Sequence, residues 1–427
     1  MKKGIFLLIT TLLLPSLAAS YPLDGYEDTG IRRVEGFRLM TEGKIKGSKQ
    51  PPGARLNTEQ VDLRLLGHKS MQLPAADPAF TAQIKKLLGD EASRYGISVL
   101  DLSDPDNPRY AEYNGDYKQN VGSVGKIVGA LGFFQALADT WPDDVQKREA
   151  ILKNTIITAD HFSHTDHHKI KIFDVEKGTL IRRPVKDGDQ GSVWEYLDWM
   201  LSVSSNAAAA MIMRDAMLLR HYGKDYPPAE EEIVRFFKET PKKELTSLFQ
   251  QTYCEPVTRN GLDIDKLRQG SFFTRTGKKI VAGGGNSYGT SRSLLQLTLL
   301  MEQGKLVDEW SSRQLKRLLY MTERRIRYAS APALKDSAVY FKSGSLYSCK
   351  EEAGFKCGKY KGNARNYMNS LAIIESPAGE NQLHYIVTLI SNVLRKNSAV
   401  AHQTLGTRIH RLMEQAHPTA TPEQPPK

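Results

Sequence analysis

Strand-like segments stand near both ends of this chain, and helix-forming sequence fills the stretch between them. Residues 97–102 and 110–113 have strand character and are joined by a turn rich in Pro, Asp and Asn at 104–108. Residues 338–341, 368–374 and 383–390 are again β-branched or alternating. Between these groups, 124–138, 193–200, 207–219, 230–239 and 293–303 carry helix formers at helical spacing, with Gly and Pro confined to the joints. A helix pattern at 78–88 precedes the first strand, and another at 399–413 follows the last. Strands separated in this way must come together as one sheet around an inserted helical region. The expected class is therefore α+β (α/β): a mostly antiparallel sheet flanked by helices, with an all-helical subdomain over about 130–335. Residues 21–76 mix Gly, Pro and charge without sustained periodicity and read as an extension or linker. A Pro-rich tail follows 414, leaving 78–414 as the folded domain.

The first twenty residues have the form of an export leader. Lys2 and Lys3 precede an apolar run over 5–14, Pro15 breaks it, and the small residues Ala18, Ala19 and Ser20 follow. The run is too short to span a bilayer, where about 20 residues are needed, and none like it recurs. A periplasmic or secreted mature chain without a transmembrane anchor is the expectation. The three cysteines are too few for a disulfide-dense scaffold or a four-cysteine zinc ribbon. Cys349 and Cys357 are near enough to pair in an oxidising compartment, and Cys254 reads as a small buried hydrophobe. With 59 Lys and Arg against 48 Asp and Glu, the net charge of +11 suits anionic partners. The positive residues are dispersed and carry no aromatic-basic motif, so nucleic acid is not an expected partner.

Three short motifs give the chemistry. Ser123 and Lys126 open the apolar helix at 124–138, Ser204, Ser205 and Asn206 sit between two helical stretches, and Lys342, Ser343 and Gly344 end a strand. Each is weak alone; their order and settings carry the weight. A serine hydroxyl needs a base, and a lysine three residues on in a helix lies on the same face one turn away. Burial beside a second cation, Lys342, would lower the pKa of Lys126. Gly344 lets backbone approach closely.

Taken together with residues 201–207 and 288–295, these motifs make the chain over 78–414 resemble the penicillin-recognising serine hydrolases (β-lactamase/transpeptidase-like), most closely the class A β-lactamase-like branch. The resemblance implies that fold, an acyl-enzyme on Ser123 and no cofactor. It implies that Ser204 relays a proton to the leaving nitrogen and that Asn206 binds the substrate amide and steadies the lysine. Ser343 would hold a substrate carboxylate beside Lys342, and the backbone N–H groups of Ser123 and Ser345 would receive the oxyanion. The implied substrate is a β-lactam or a peptidoglycan-like D-alanyl amide. Two departures stand out. Ser205 occupies the place of an aspartate, and the Glu-x-x-Leu-Asn that activates the deacylating water is missing. Glu255, with Asn260 five residues later, is the nearest candidate base; without one, an acyl-enzyme persists and the protein behaves as a penicillin-binding DD-peptidase.

His161, His164, Asp166, His167 and His168 gather as candidate metal ligands, but the first histidine is misplaced for a His-x-His-x-Asp-His signature and the setting is wrong, so no metal is assigned. Residues 121–126 echo a phosphate-binding loop, yet Asn120 stands where glycine is required and Ile127 where Ser or Thr should be. Arg275, Thr276 and Gly277 rival the third motif without a strand run before them, and Gly283 to Gly285 read as a flexible loop. The alternatives of another kind are a non-catalytic basic module binding an envelope polymer and a silent relative binding cell-wall peptide. Changing Ser123 to Ala separates both from an enzyme.

Overall fold

In the computed structural model, which describes residues 24–418 apart from 48, 324 and 381, the separated strands close into one sheet. The leader expected at 1–20 and the end of the tail lie outside the described residues. The principal elements are helices α1 (Arg32–Thr41) and α2 (Pro78–Leu88), strands β1 (Tyr95–Asp101) and β2 (Arg109–Tyr113), and helix α3 (Lys126–Thr140). A hairpin of β3 (Ile170–Asp174) and β4 (Thr179–Arg183) follows, then helices α4 (Val193–Leu201), α5 (Asn206–Tyr222), α6 (Ser291–Glu302) and α7 (Glu309–Tyr320). Strands β5 (Ala338–Ser348), β6 (Arg365–Ser376) and β7 (Leu383–Asn392) and helix α8 (Ser398–Ala416) complete the set. The sheet order is β2-β1-β7-β6-β5, with every neighbour antiparallel.

Both faces of this sheet are covered, and strand periodicity divides its residues between two cores. Val339, Phe341, Ala372, Ile374, Tyr385 and Val387 pack outward with Phe80 and Ile84 of α2 and Leu405 and Ile409 of α8. Tyr340, Leu371, Ile373 and Ile386 pack inward against the helical region. The same alternation sends Lys342 inward with Tyr340. Helix α2 starts as its sequence dictates: Pro78 fits the first turn, and the Asp77 carboxylate accepts from Ala79 N at 2.9 Å and Phe80 N at 3.0 Å.

Helix α3 is buried along twelve consecutive residues, which explains its almost unbroken apolar sequence. Gly132 is needed there: a Cβ would lie 2.5 Å from the Thr252 carbonyl oxygen of the helix Lys242–Tyr253. No helix among the described residues is long and apolar enough to cross a membrane.

Two regions differ from the sequence expectation. The segment before residue 77 is no loose linker. Ile31, Val34, Phe37 and Met40 are buried along α1, and the buried Arg33 guanidinium pairs with Asp198 and donates to the Met321 carbonyl at 2.6 Å. Charged residues between these apolar positions hide the periodicity, and an arginine pointing into the core is not an apolar signal. The central third also holds the β3–β4 hairpin, where Lys171 interrupts the apolar residues Ile170, Ile172 and Phe173. Cys349 and Cys357 form a disulfide. Cys254 is half-buried and free, and burial pushes its thiol pKa up, away from reactivity.

Candidate active site

The site lies where the inward face of β5 meets the start of α3. Ser123 sits on the short 3₁₀ turn Gly122–Gly125 that feeds α3, and this turn packs directly on β5. Gly344 permits the contact: a Cβ there would lie 2.6 Å from Ser123 N and 2.1 Å from the Val121 carbonyl oxygen. A Cβ on Gly122 would be 3.2 Å from Ser345 N, so the two backbone N–H groups of the expected oxyanion pair belong to segments in contact.

Lys126 is fully buried, and its ammonium donates only to neutral groups. Nζ lies 3.2 Å from Ser123 Oγ, 2.6 Å from the Ser204 carbonyl, 3.2 Å from Ser204 Oγ and 2.7 Å from Asn206 Oδ1, with the Phe273 ring 4.9 Å away. Burial pushes its pKa down to about 7, against the opposing pull of the Asp166 carboxylate. Lys342, 3% exposed, donates to Ser204 Oγ at 2.9 Å and to the Ser343 carbonyl at 3.2 Å. Burial, then the charges of Lys126 and Arg327, hold it well below the usual lysine range. Ser204 thus bridges both lysines, and it does so from a left-handed backbone (φ +65°) that a non-glycine residue adopts at a cost. One hydroxyl between two destabilised ammonium groups is an arrangement for moving protons.

A carboxylate from elsewhere in the chain, Asp166, engages this loop. Ser205 caps α5 by accepting from Ala208 N at 3.1 Å, and its hydroxyl donates to Asp166 Oδ2 at 2.8 Å. The same oxygen accepts from Asn206 N at 2.8 Å and Ala207 N at 3.0 Å. The other oxygen of Asp166 accepts from His168 Nδ1 at 2.6 Å. Although burial works against it, the His168 bond and charge and then the N–H donors keep the Asp166 carboxyl well below the usual range. Asp166 is therefore engaged with helix α5 and His168. Of the other candidate metal ligands, His164 pairs with Asp187 at 2.8 Å and His161 meets the Phe162 ring at a tilt, while His167 stacks on His168 at 4.8 Å along the cleft wall. Asp166, His167 and His168 each bring a possible ligand atom within 4.8 Å of the others, while His161 and His164 do not join them.

Glu255 is not brought to the site. It is exposed at the start of the helix Glu255–Arg259, 3.8 Å from the Arg259 guanidinium, and Asn260 instead ties Gln135 to the Val307 backbone. The spacing that suggested it belongs to a local turn. Gln269 lines the cleft behind Ser123, its Oε1 2.2 Å from where a Cβ on Gly125 would be, and its Nε2 donates to the Ser271 carbonyl. Arg327 is a residue that motif reasoning misses. Its guanidinium donates to Ser343 Oγ at 2.8 Å, Ser345 Oγ at 3.1 Å and Tyr360 OH at 3.0 Å, and it stacks over the Tyr360 ring. Tyr360 comes from the β5–β6 connection that the Cys349–Cys357 disulfide closes. The cleft enclosed by these groups is about 750 Å³.

A sheet covered on both faces, with Ser123 and Lys126 on a buried helix start against an inward Lys342, defines the penicillin-recognising serine hydrolases. The model of the Beta-lactamase enzyme family matches residues 79–355, and the chain belongs to that family. Among solved structures, a β-lactamase from Sphaerobacter thermophilus is 14% identical with a TM-score of 0.51, over 80% of this chain and 98% of that one. PBP-A is 14% identical with a TM-score of 0.49, over 81% of this chain and all of its own, and a β-lactamase from Xanthomonas campestris is 17% identical with a TM-score of 0.47, over 78% and 96%. No curated protein sequence matches.

Proposed function

We propose that this protein is an exported serine acyl-hydrolase that opens β-lactams or related D-alanyl amides through an acyl-enzyme on Ser123. The observation that carries this reading is the Lys126 ammonium, 3.2 Å from Ser123 Oγ, held only by neutral acceptors and pushed down to about 7. Near neutral pH much of it is free amine, which takes the Ser123 proton as Oγ attacks the carbonyl carbon. The backbone N–H groups of Ser123 and Ser345 receive the oxyanion, and Asn206 orients both Lys126 and the substrate amide. As the C–N bond breaks, Ser204 passes a proton from Lys126 or Lys342 to the leaving nitrogen. Ser343 and Arg327 hold the carboxylate on the leaving side.

A second reading, a penicillin-binding DD-peptidase-like protein that deacylates slowly, is favoured by Gln269. Gln269 stands where the cleft meets the turn of Ser123, and an amide cannot take a proton from water as a carboxylate does. The disulfide supports an oxidising compartment for the mature chain, with residues 1–20 as its leader and 78–414 as its hydrolase domain.

The test is to mix the mature protein with a reporter β-lactam and follow intact mass and ring opening together, with Ser123→Ala alongside. A transient adduct with many turnovers, absent in the variant, means a β-lactamase. A stable stoichiometric adduct means a slow penicillin-binding peptidase. No adduct overturns the proposal.

A further inference from the structure

The two ends of the cleft carry cations that no carboxylate neutralises. At the sheet end stand Arg327, whose guanidinium is held by three hydroxyls, and the exposed Lys359. At the helical end stand Lys169, Arg182 and Lys278, all exposed and all lining the same cleft. Among the described residues none of these five has an ion-pair partner. Among the described residues the one acidic residue in the lining, Glu323, is buried and already paired with Lys171 at 3.2 Å.

The helical end is built as a rim. Thr274 Oγ1 donates to the Phe162 carbonyl at 2.7 Å and Arg275 N to Thr165 Oγ1 at 3.2 Å, which fixes the helix Arg275–Ile280, and with it Lys278, beside the 161–168 stretch. In the β3–β4 hairpin Arg182 lies directly opposite Lys171. Like charges directly opposite on a strand pair are destabilising, and Lys169 adds a third cation two residues before Lys171. Among the described residues Glu323 pairs with Lys171 alone. Folding gains nothing from leaving Lys169 and Arg182 in one cleft without a counter-charge; an anion arriving there does.

We infer that the substrate carries a second negative group besides the carboxylate placed at Arg327, and that Lys169 and Arg182, with Lys278 lining the same cleft, receive it. This inference rests on the acyl-hydrolase reading of Ser123. The substrate class is then an amide that bears two carboxylates, such as an acidic peptide with a C-terminal carboxylate.

A matched pair of probes tests this: benzylpenicillin, whose one carboxylate is on the ring, and its α-carboxyl derivative, which adds a second on the acyl side chain. Affinity is measured by calorimetry on Ser123→Ala at 50 and 500 mM salt, so that binding is read without covalent chemistry. The dicarboxylate is expected to bind about tenfold tighter at low salt, a gap that closes at high salt. In Ser123→Ala with Lys169→Ala and Arg182→Ala added, both at exposed positions, the two probes are expected to bind alike. Equal affinity in Ser123→Ala, or a preference that survives the two added substitutions, overturns the inference. Adduct formation on the protein with its native Ser123 is followed with the same two probes, and absence of any adduct overturns the acyl-enzyme reading separately.

Discussion

Lys126 and Lys316 are both fully withdrawn from solvent, and the groups around them could hardly differ more. Lys316 on α7 donates to Glu302 at 3.0 Å, to Glu375 at 2.7 Å and to the Asp62 carbonyl at 2.6 Å, with Arg64 closing the network on Glu375 at 2.9 Å. Lys126 meets two hydroxyls, a carbonyl and an amide oxygen. A buried charge matched by opposite charges is part of what holds the inner core to the segment before residue 77. A buried charge met only by dipoles gives up its proton easily, and that is what a base must do. Under the proposed mechanism the chain uses the same residue type for architecture and for chemistry, and the carboxylates decide which.

The largest effect expected from this contrast is on Lys126→Met. Acylation of the protein by a β-lactam should fall about a thousandfold, within the range for loss of a positioned base. Thermal stability should hold or rise, because an incompletely compensated buried charge has been replaced by an apolar side chain of similar length. A melting temperature that collapses with the substitution would place Lys126 in the same structural role as Lys316 and break the comparison. The pH dependence sharpens it: only the free amine accepts the Ser123 proton, so acylation should climb as pH rises through about 7 and then level off.

Lys316→Met should do the reverse. Removing the cation leaves Glu302 and Glu375 buried and facing each other, at a cost of about 3–5 kcal/mol. Although burial opposes it, the Lys316 charge and then the Arg64 bond hold the Glu375 pKa down to about 2. A depressed carboxylate contributes stability that is complete above its ordinary value near 4.5 and is lost as pH falls toward the folded value. The variant should therefore unfold at a higher pH than the parent in an acid titration followed by circular dichroism, while acylation by the fraction that remains folded is unchanged. Loss of acylation in that folded fraction would show that the network reaches the site.

Asp166→Asn tests the border between the two kinds of lysine, since Asp166 is a carboxylate that acts on Lys126 without touching it. An acylation rate reduced about tenfold is expected from the lost charge-assisted capping of Asn206 and Ala207. The more telling readout is the pH profile. The carboxylate favours the ammonium form, so its removal should move the midpoint to lower pH; a midpoint that stays put would confine Asp166 to shaping the loop.

How much of this was legible in the chain follows from where each signal resides. Ser123 and Lys126, Ser204 to Asn206 and Lys342 to Ser345 are contiguous patterns in segments whose periodicity is strong, so both the patterns and the elements bearing them can be read. The same apolar run that marks α3 as buried is what desolvates Lys126. Asp166 was visible only as part of a His-rich cluster, because a carboxylate that caps a helix 40 residues later looks no different in sequence from a metal ligand. Arg327 leaves no signal at all: it enters the site from a turn, on a left-handed backbone, and its partners are hydroxyls spread over residues 343 to 360. Helix α1 was hidden for a related reason, since its Arg33 is buried by pairing with Asp198, a residue far away in the chain.

Glu255 gives the smallest expected effect and marks the far side of the comparison. It is a carboxylate with a sequence spacing that suggested chemistry and a position that supplies none: exposed, 3.8 Å from Arg259, outside the cleft lining. Glu255→Gln should change acylation and deacylation less than twofold, and stability by no more than an exposed ion pair contributes, about 0.5 kcal/mol. Gln269→Glu is the informative partner for it. That substitution places a carboxylate against the turn of Ser123, where water approaching an acyl ester could be deprotonated. If the adduct formed by a β-lactam clears faster in Gln269→Glu and not in Glu255→Gln, the rate of deacylation is set by what stands behind Ser123. A slowed clearance in Glu255→Gln would mean instead that the loop bearing it reaches the cleft in the acylated protein.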